Sequence, residues 1–285
     1  MLKRKIITSL VIIAAILTIF AITYDGYNYA PKRIRLNFRY IESDKIHADL
    51  DGLQIAFISD IHYNLFMDQE RFAKVVSKVN ETNPDIIIFL GDLIDDTNLE
   101  SFDDKTKATL LTQLQSMPAK YGKFAVLGEA DYVSEEMNET VKQLLFASDF
   151  EVLNNEMIKI SKDTNNAFQL IGIDSPLNGL ADIETAYKNV NSKLFSLTIL
   201  HTPDTSKLLP QNLTDLVVAG HSHGGQIRIP LLGQVYNQEL AEEYYSGLYN
   251  IGAIKLFVTN GVGTTNNDIR IFAPAEVMIY TLKSK

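Results

Sequence analysis

The sequence predicts an α/β fold in which two β-sheets pack as a sandwich flanked by helices, preceded by one N-terminal transmembrane helix. Three observations carry this expectation. Strand-like apolar runs alternate with helical patterns through the first half, the second half is rich in strands, and the amino terminus is an almost unbroken apolar stretch.

The apolar stretch runs from Ile6 to Tyr24, with Thr8, Ser9, Thr18 and Thr23 as its polar exceptions. About 17 to 25 such residues span a bilayer. Lys3, Arg4 and Lys5 precede it, as in a signal peptide or a signal anchor. The run is long for a signal-peptide core and no small-x-small cleavage site follows, so an uncleaved anchor is the preferred reading. Lys32, Arg33 and Arg35 beyond it nearly balance the count. The nearer, denser cluster favours an inside amino terminus, a single pass through the cell membrane and an extracytoplasmic domain. Residues 1–24 are therefore read as the anchor, 25–50 as linker and first strand, and 51–285 as one domain of ordinary α/β size.

Within that domain the first half reads as β-α-β. A strand from Leu53 to Ile58 leads to a helix from about Asp68, its cap, to Asn80. A strand from Ile86 to Leu90, a helix around Asp104 to Ser116 and a strand from Lys123 to Leu127 follow. Ser134 opens another helix to Phe146, and Asp182 to Val190 reads as one more. Strands are expected at Ile158–Ser161, Phe168–Ile173, Ser196–Leu200, Leu216–Ala219, Gln226–Ile229, Leu256–Thr259 and Val277–Leu282.

Composition narrows the partners. A net charge of −9 and a pI near 5.1 argue against a nucleic-acid groove, which needs a basic face. Absence of cysteine excludes disulfides and a lipoprotein anchor, and suits extracytoplasmic and cytosolic domains alike.

The histidines carry the chemistry. Of five, His62, His201, His221 and His223 follow apolar runs, and only His47 stands apart with nothing around it. Polar residues at strand ends are where open α/β sheets bind ligands. In an extended segment residues i and i+2 point the same way, so Asp60 with His62, and His221 with His223, can each converge on one locus. Imidazole with carboxylate suits Mn, Fe or Zn, whereas Mg or Ca sites use mainly oxygen.

Ser59-Asp60-Ile61-His62, Leu90-Gly91-Asp92-Leu93, His201-Thr202-Pro203-Asp204 and Gly220-His221-Ser222-His223-Gly224-Gly225-Gln226 resemble the calcineurin-like metallophosphoesterase superfamily. Within it the chain is similar to the membrane-associated YkuE-like phosphoesterases, over roughly residues 50 to 283. The resemblance implies that family's four-layer fold and two divalent metal ions. Asp60, His62 and His223 would hold one ion, His201 and His221 the other, and Asp92 would bridge and serve catalysis. A bridging hydroxide would then attack phosphorus in line.

Only the third motif departs. The family has Gly-Asn-His-Asp/Glu where this chain reads Gly128-Glu129-Ala130-Asp131. Glu129 either coordinates the second metal in place of the asparagine, adding negative charge, or points away. Ala130 removes the histidine that stabilises the transition state or protonates the leaving oxygen, a role worth about 10² to 10⁴ in rate. Asp131 remains as a second catalytic candidate.

Lesser candidates are Gly224 and Gly225 as a tight turn, Tyr63 and Asn64 beside a ligand, and Arg270 as a phosphate partner or a surface arginine. Asp95 and Asp96 read as a solvated loop or cap, and Tyr236 to Tyr249 as a mobile flap or partner surface. Two functions remain. One is a membrane-anchored phosphoesterase acting on a phosphorylated small molecule or envelope component, cleaving a phosphate ester or pyrophosphate. The other is a metal-binding pseudoenzyme that recognises such a component or a protein partner.

Overall fold

The computed structural model describes residues 2–95, 97, 102–162 and 166–285. Its helices are α1 (Leu2–Asn28), α2 (Gln69–Thr82), α3 (Asp104–Gln115), α4 (Glu135–Ala147) and α5 (Ile183–Tyr187). Its strands are β1 (Arg35–Ser43), β2 (Gln54–Ile58), β3 (Ile86–Phe89), β4 (Lys123–Ala125), β5 (Phe150–Val152), β6 (Glu156–Ser161) and β7 (Ala167–Gly172). The remainder are β8 (Ser196–Leu200), β9 (Leu216–Ala219), β10 (Arg228–Ile229), β11 (Gly233–Gln234), β12 (Gly247–Ile251), β13 (Ile254–Val258) and β14 (Glu276–Ser284).

Two six-stranded sheets form, in the orders β1-β14-β2-β3-β4-β5 and β12-β13-β9-β8-β7-β6. The central strands of each are parallel, as the first-half β-α-β pattern predicts. Ile55, Phe57, Ile86, Ile88 and Met278 of one sheet meet Leu170, Leu197, Ile199, Val218 and Phe257 of the other in a shared core. The alternate residues Ala56, Ile58, Ile87 and Phe89 turn to the opposite face, where α2, α3 and α4 cover them. On the far side of the second sheet Ile171, Leu200, Val217 and Leu256 are covered by Ala186 and Tyr187 of α5. Strands buried on both faces need the uninterrupted apolar runs seen in the sequence.

Caps set where the covering helices begin. The Asp68 carboxylate accepts the Arg71 amide at 2.8 Å, and the Ser134 hydroxyl accepts the Met137 amide at 3.1 Å. In α2, Phe72, Val75, Val76 and Val79 recur at helical spacing and are buried.

Several expected elements differ. The helix expected from Asp182 to Val190 is the single turn α5, where Lys188 gives way to turns. The strand expected at Gln226–Ile229 is only the two-residue β10, because Gln226 takes a left-handed φ of 49° and leaves strand geometry. β5 and β12 are too short or too mixed in polarity to show in the pattern. The nine-residue β1 lies within 25–50 and pairs in parallel with β14 as a sheet edge.

α1 projects from this body with none of its apolar length buried, and is long and apolar enough to cross a membrane.

Candidate metal centre

The carboxyl ends of the two sheets' parallel strands meet, and the polar motifs sit there. Asp60 and His62 follow β2, Asp92 follows β3, and Glu129 follows β4; His201 follows β8, while His221 and His223 follow β9. Asp60, His62, Asp92, His221 and His223 all have positive φ, between 44° and 67°. A non-glycine residue in that region is strained by about 1–3 kcal/mol and persists where its surroundings over-determine it. The pairs Asp60/His62 and His221/His223 therefore converge through left-handed turns, not through the strand alternation expected from sequence. Main-chain bonds hold the turns: Asp60 donates to the Gly91 carbonyl at 3.0 Å, and Ile61 and His62 donate to the Asp92 carbonyl at 2.9 and 3.1 Å. The His221 amide donates to Asp60 Oδ1 at 2.9 Å and links the two sheets.

Two groups of potential metal ligands result. Asp60, His62 and His223 form one; Asp92, Glu129, His201 and His221 form the other, and within each the donor atoms lie within 4.8 Å of one another. Asp92 Oδ2 stands between them, 3.4 Å from His62 Nε2 and 3.2 Å from His201 Nε2. Glu129 turns inward, placing Oε2 3.0 Å from His201 Nε2 and Oε1 2.9 Å from His221 Nδ1. His62 Nε2 and His223 Nε2 are 3.2 Å apart.

This donor set fits two divalent cations. Asp60 Oδ2, Glu129 Oε2, His201 Nε2 and His221 Nδ1 are buried without a hydrogen-bond partner, close to neighbours but not directed at them. Orphaned buried polar atoms are costly unless something else satisfies them, and a cation common to several does so. The other ring nitrogens fix the tautomers. His201 Nδ1 lies 2.6 Å from the Leu90 carbonyl and His221 Nε2 2.8 Å from the Glu239 carbonyl, so each donates there and turns its lone pair to the cluster.

Electrostatics couple the groups tightly. Burial alone would lower the His62 pKa, but the hydrogen bond and charge of Asp92 outweigh it and hold the ring up at about 9. Burial and Asp92 push Glu129 up, yet His201 and His221 win and hold it down at about 2. The carboxylate is therefore charged throughout the physiological range.

The structure places four further candidates of the sequence reading. Asp131, expected to be catalytic, is fully buried; its Oδ2 accepts the amides of Asp92 and Gly128 and its Oδ1 that of Leu93, each at 2.9 Å. It ties together the loops that carry Asp92 and Glu129. Arg270 is neither a surface residue nor open to a phosphate, being 1% exposed and donating to the carbonyls of His223, Asn260, Gly261, Gly263 and Ala273. Asp95 is buried and not solvated, but it does cap the following turn, its Oδ1 accepting the Thr97 amide at 2.9 Å while its Oδ2 lies 3.6 Å from His62 Nδ1. Asp96 lies outside the described residues. The Tyr236–Tyr249 segment is tied down, with Asp204 accepting the Glu243 and Tyr244 amides, the Tyr245 carbonyl receiving Ser222, and β12 beginning at Gly247.

Gly224 does form the tight turn, with φ 62° and no room for a Cβ beside the Asn260 side chain. At Gly128 a Cβ would collide with the Asp92 carboxylate. His47 is remote from the cluster, its Nδ1 2.6 Å from Asp49. The Glu239 and Leu90 carbonyls left no sequence signal, because every residue carries one.

The calcineurin-like phosphoesterase model matches residues 53–225, which holds all seven candidate ligands. The chain belongs to this family. It is similar to the uncharacterized metallophosphoesterase YkuE of Bacillus subtilis, 29% identical over 263 residues that cover 91% of this chain and 90% of that protein. The uncharacterized metallophosphoesterase Cj0846 of Campylobacter jejuni is 30% identical, covering 95% of this chain and 68% of that protein. The UDP-2,3-diacylglucosamine pyrophosphatase LpxG of Chlamydia muridarum is 29% identical, covering 87% of this chain and 88% of that protein. Membership makes the chain a metal-dependent phosphoesterase, with the metallophosphoesterase sandwich as its fold.

Proposed function

We propose that this phosphoesterase is membrane-anchored and uses two divalent cations to hydrolyse a phosphate ester or pyrophosphate of a small molecule or envelope component. The convergence of seven buried or half-buried donors, several without any other partner, carries the reading. Asp60, His62 and His223 hold one cation, Glu129, His201 and His221 the other, and Asp92 reaches both. Mixed imidazole and carboxylate favour Mn, Fe or Zn. The cations supply Lewis acidity that activates a water and neutralises charge on the phosphoryl oxygens.

The chain's own residues set geometry and charge. Asp131 and Gly128 aim Asp92; the Leu90 and Glu239 carbonyls aim His201 and His221. Glu129, whose side chain is 32% exposed, is the ligand nearest solvent and marks the side from which substrate arrives. Its negative charge would weaken attraction for phosphate and offset part of the positive charge that the cations would supply. Ala130 gives only its amide, donated to Asp92 Oδ1 at 3.0 Å. With no histidine there, good leaving groups such as phosphate or a phenolate are favoured over alkoxides. The pyrophosphatase named among the relatives is in keeping with that preference.

α1 supports the anchor, with the domain outside the cell membrane as the orientation favoured by Lys3, Arg4 and Lys5. A second reading, a metal-binding pseudoenzyme, is favoured by Ala130 alone. The decisive test is purified full-length chain with Mn and an activated aryl phosphodiester. Metal-dependent turnover that disappears in Asp92→Asn supports the enzyme; metal binding without turnover supports the pseudoenzyme.

A further inference from the structure

Immediately beyond the His223–Gly225 turn the chain runs into the β10–β11 hairpin, whose tip is Ile229-Pro230-Leu231-Leu232. The tip is apolar and uncovered. Leu231 is fully exposed, Leu232 80% exposed, and Ile229, Val235 and Tyr236 about half. Leu231 also holds a φ of 72°, a left-handed conformation uncommon for a branched side chain. The tip is not loose, since Leu232 donates to the Ile229 carbonyl at 3.0 Å and Val235 to the Ile227 carbonyl at 2.9 Å.

The position of the hairpin gives the patch its meaning. Its base is bonded to the 270–272 segment: Arg228 donates its amide to the Ile271 carbonyl at 2.9 Å and its guanidinium to the Phe272 carbonyl. The same segment receives the end of α1, where the Arg270 amide donates to the Gly26 carbonyl at 3.0 Å, and a Cβ on Gly26 would press into Ile271. Phe272, between the two, is half exposed. The point where α1 would leave a bilayer is thus one short segment from the hairpin base, and three to four extended residues reach only about 10–13 Å. Basic residues gather beside the end of α1 in this acidic chain: Lys32, Arg33, Arg35, Lys74 and Lys78 line one shallow hollow, with Arg33 paired to Asp25 and Lys78 to Glu81, and Arg33 and Arg35 also line a cleft shared with Ile271 and Phe272. Cations at that level suit anionic headgroups, and apolar side chains beside them suit the acyl boundary.

We propose that the Ile229–Tyr236 hairpin is a second membrane contact, its Leu231–Leu232 tip inserted at the acyl boundary of the bilayer that α1 crosses. The inference rests on the membrane-anchored reading of α1. Two attachments, one spanning and one shallow, fix the tilt of the domain, which one flexible tether cannot do. Because the hairpin grows from the His223 turn, it also fixes the height of the metal centre above the headgroups.

The chain has no cysteine, so single labels are clean. The full-length variants Leu231→Cys, Leu10→Cys and Phe146→Cys each carry an environment-sensitive fluorophore and are reconstituted in vesicles of zwitterionic and anionic phospholipid. A nitroxide on the lipid acyl chains serves as quencher. Phe146 is 83% exposed near the end of α4, which α3 separates from α2. The expected result is loss of emission at positions 231 and 10 and none at 146. Quenching at 10 without quenching at 231 overturns the hairpin contact while leaving the anchor intact. No quenching at 10 overturns the anchor and the proposal with it. A blue shift at 231 without acyl-chain quenching assigns the tip to a protein partner or a second copy and overturns lipid insertion.

Discussion

The two halves of the metal centre are built differently. Asp60, His62 and His223 are nearly inaccessible, all three in left-handed backbone, with Asp95 behind one ring and the sheet-to-sheet bond from His221 behind the carboxylate. His201 and His221 depend on distant carbonyls for ring orientation, and Glu129 beside them is one-third exposed. The first half is closed throughout, whereas the second, with His201 and His221 equally buried, opens to solvent only at Glu129 and carries both departures from the family pattern. The second half also has little spare room, since a Cβ on Gly128 would collide with Asp92 and His201.

The largest effect should come from the residue both halves share. Asp92→Asn removes the one carboxylate reaching both groups and should abolish detectable turnover, measured as steady-state hydrolysis of an aryl phosphodiester. Ala130→His restores a general acid at the open half. Its gain should approach about 10² to 10⁴ for an alkyl ester and be small for an aryl one. Equal gains on both substrates would show that leaving-group protonation is not what Ala130 lacks.

Glu129→Gln and Asp95→Asn separate the halves by metal affinity, read by titration calorimetry. Loss of a supporting or outer group costs about 10- to 100-fold. Glu129→Gln should weaken one site and leave the other unchanged, with Asp95→Asn doing the reverse at the His62 site. Both variants acting on the same step of the titration would dissolve the distinction between halves.

The smallest effect concerns pH. His62 is raised to about 9 by Asp92, so in the metal-free fold its protonation contributes stability fully present below pH 6.5 and lost as pH rises through 9. A cation must displace that proton. Affinity at the His62 site should therefore rise with pH and level off near 9, and the thermal shift on adding Mn should widen between pH 6.5 and 9. A thermal shift constant over that range would remove His62 from the ligand set.

Much of the fold was legible. Short β-branched runs such as Ile86–Phe89, bounded by Pro84-Asp85 and Gly91, read as buried strands, and caps such as Asp68 and Ser134 placed helix starts. β5 and β12 were not legible, because three to five mixed residues carry no periodicity and pair only when neighbours supply the edge. At the site, Asp60, His62, Asp92, His201, His221 and His223 could be picked out by residue type at strand ends. Arg270 was misjudged because charged residues usually face solvent or substrate, and only tertiary context shows its charge absorbed by carbonyls, as that of Asp131 is by backbone amides.

The sequence by itself determined the chemical inventory: the donors, their order along the chain, the missing histidine at Ala130 and the apolar helix at the amino terminus. These depend on residue type and local spacing, which one dimension contains. The tertiary structure alone decided that Glu129 turns inward, that Asp131 works through the backbone, and that an apolar hairpin stands beside the end of α1. Each depends on loops from different strands being brought within a few ångströms, and strand pairing across two sheets sets that.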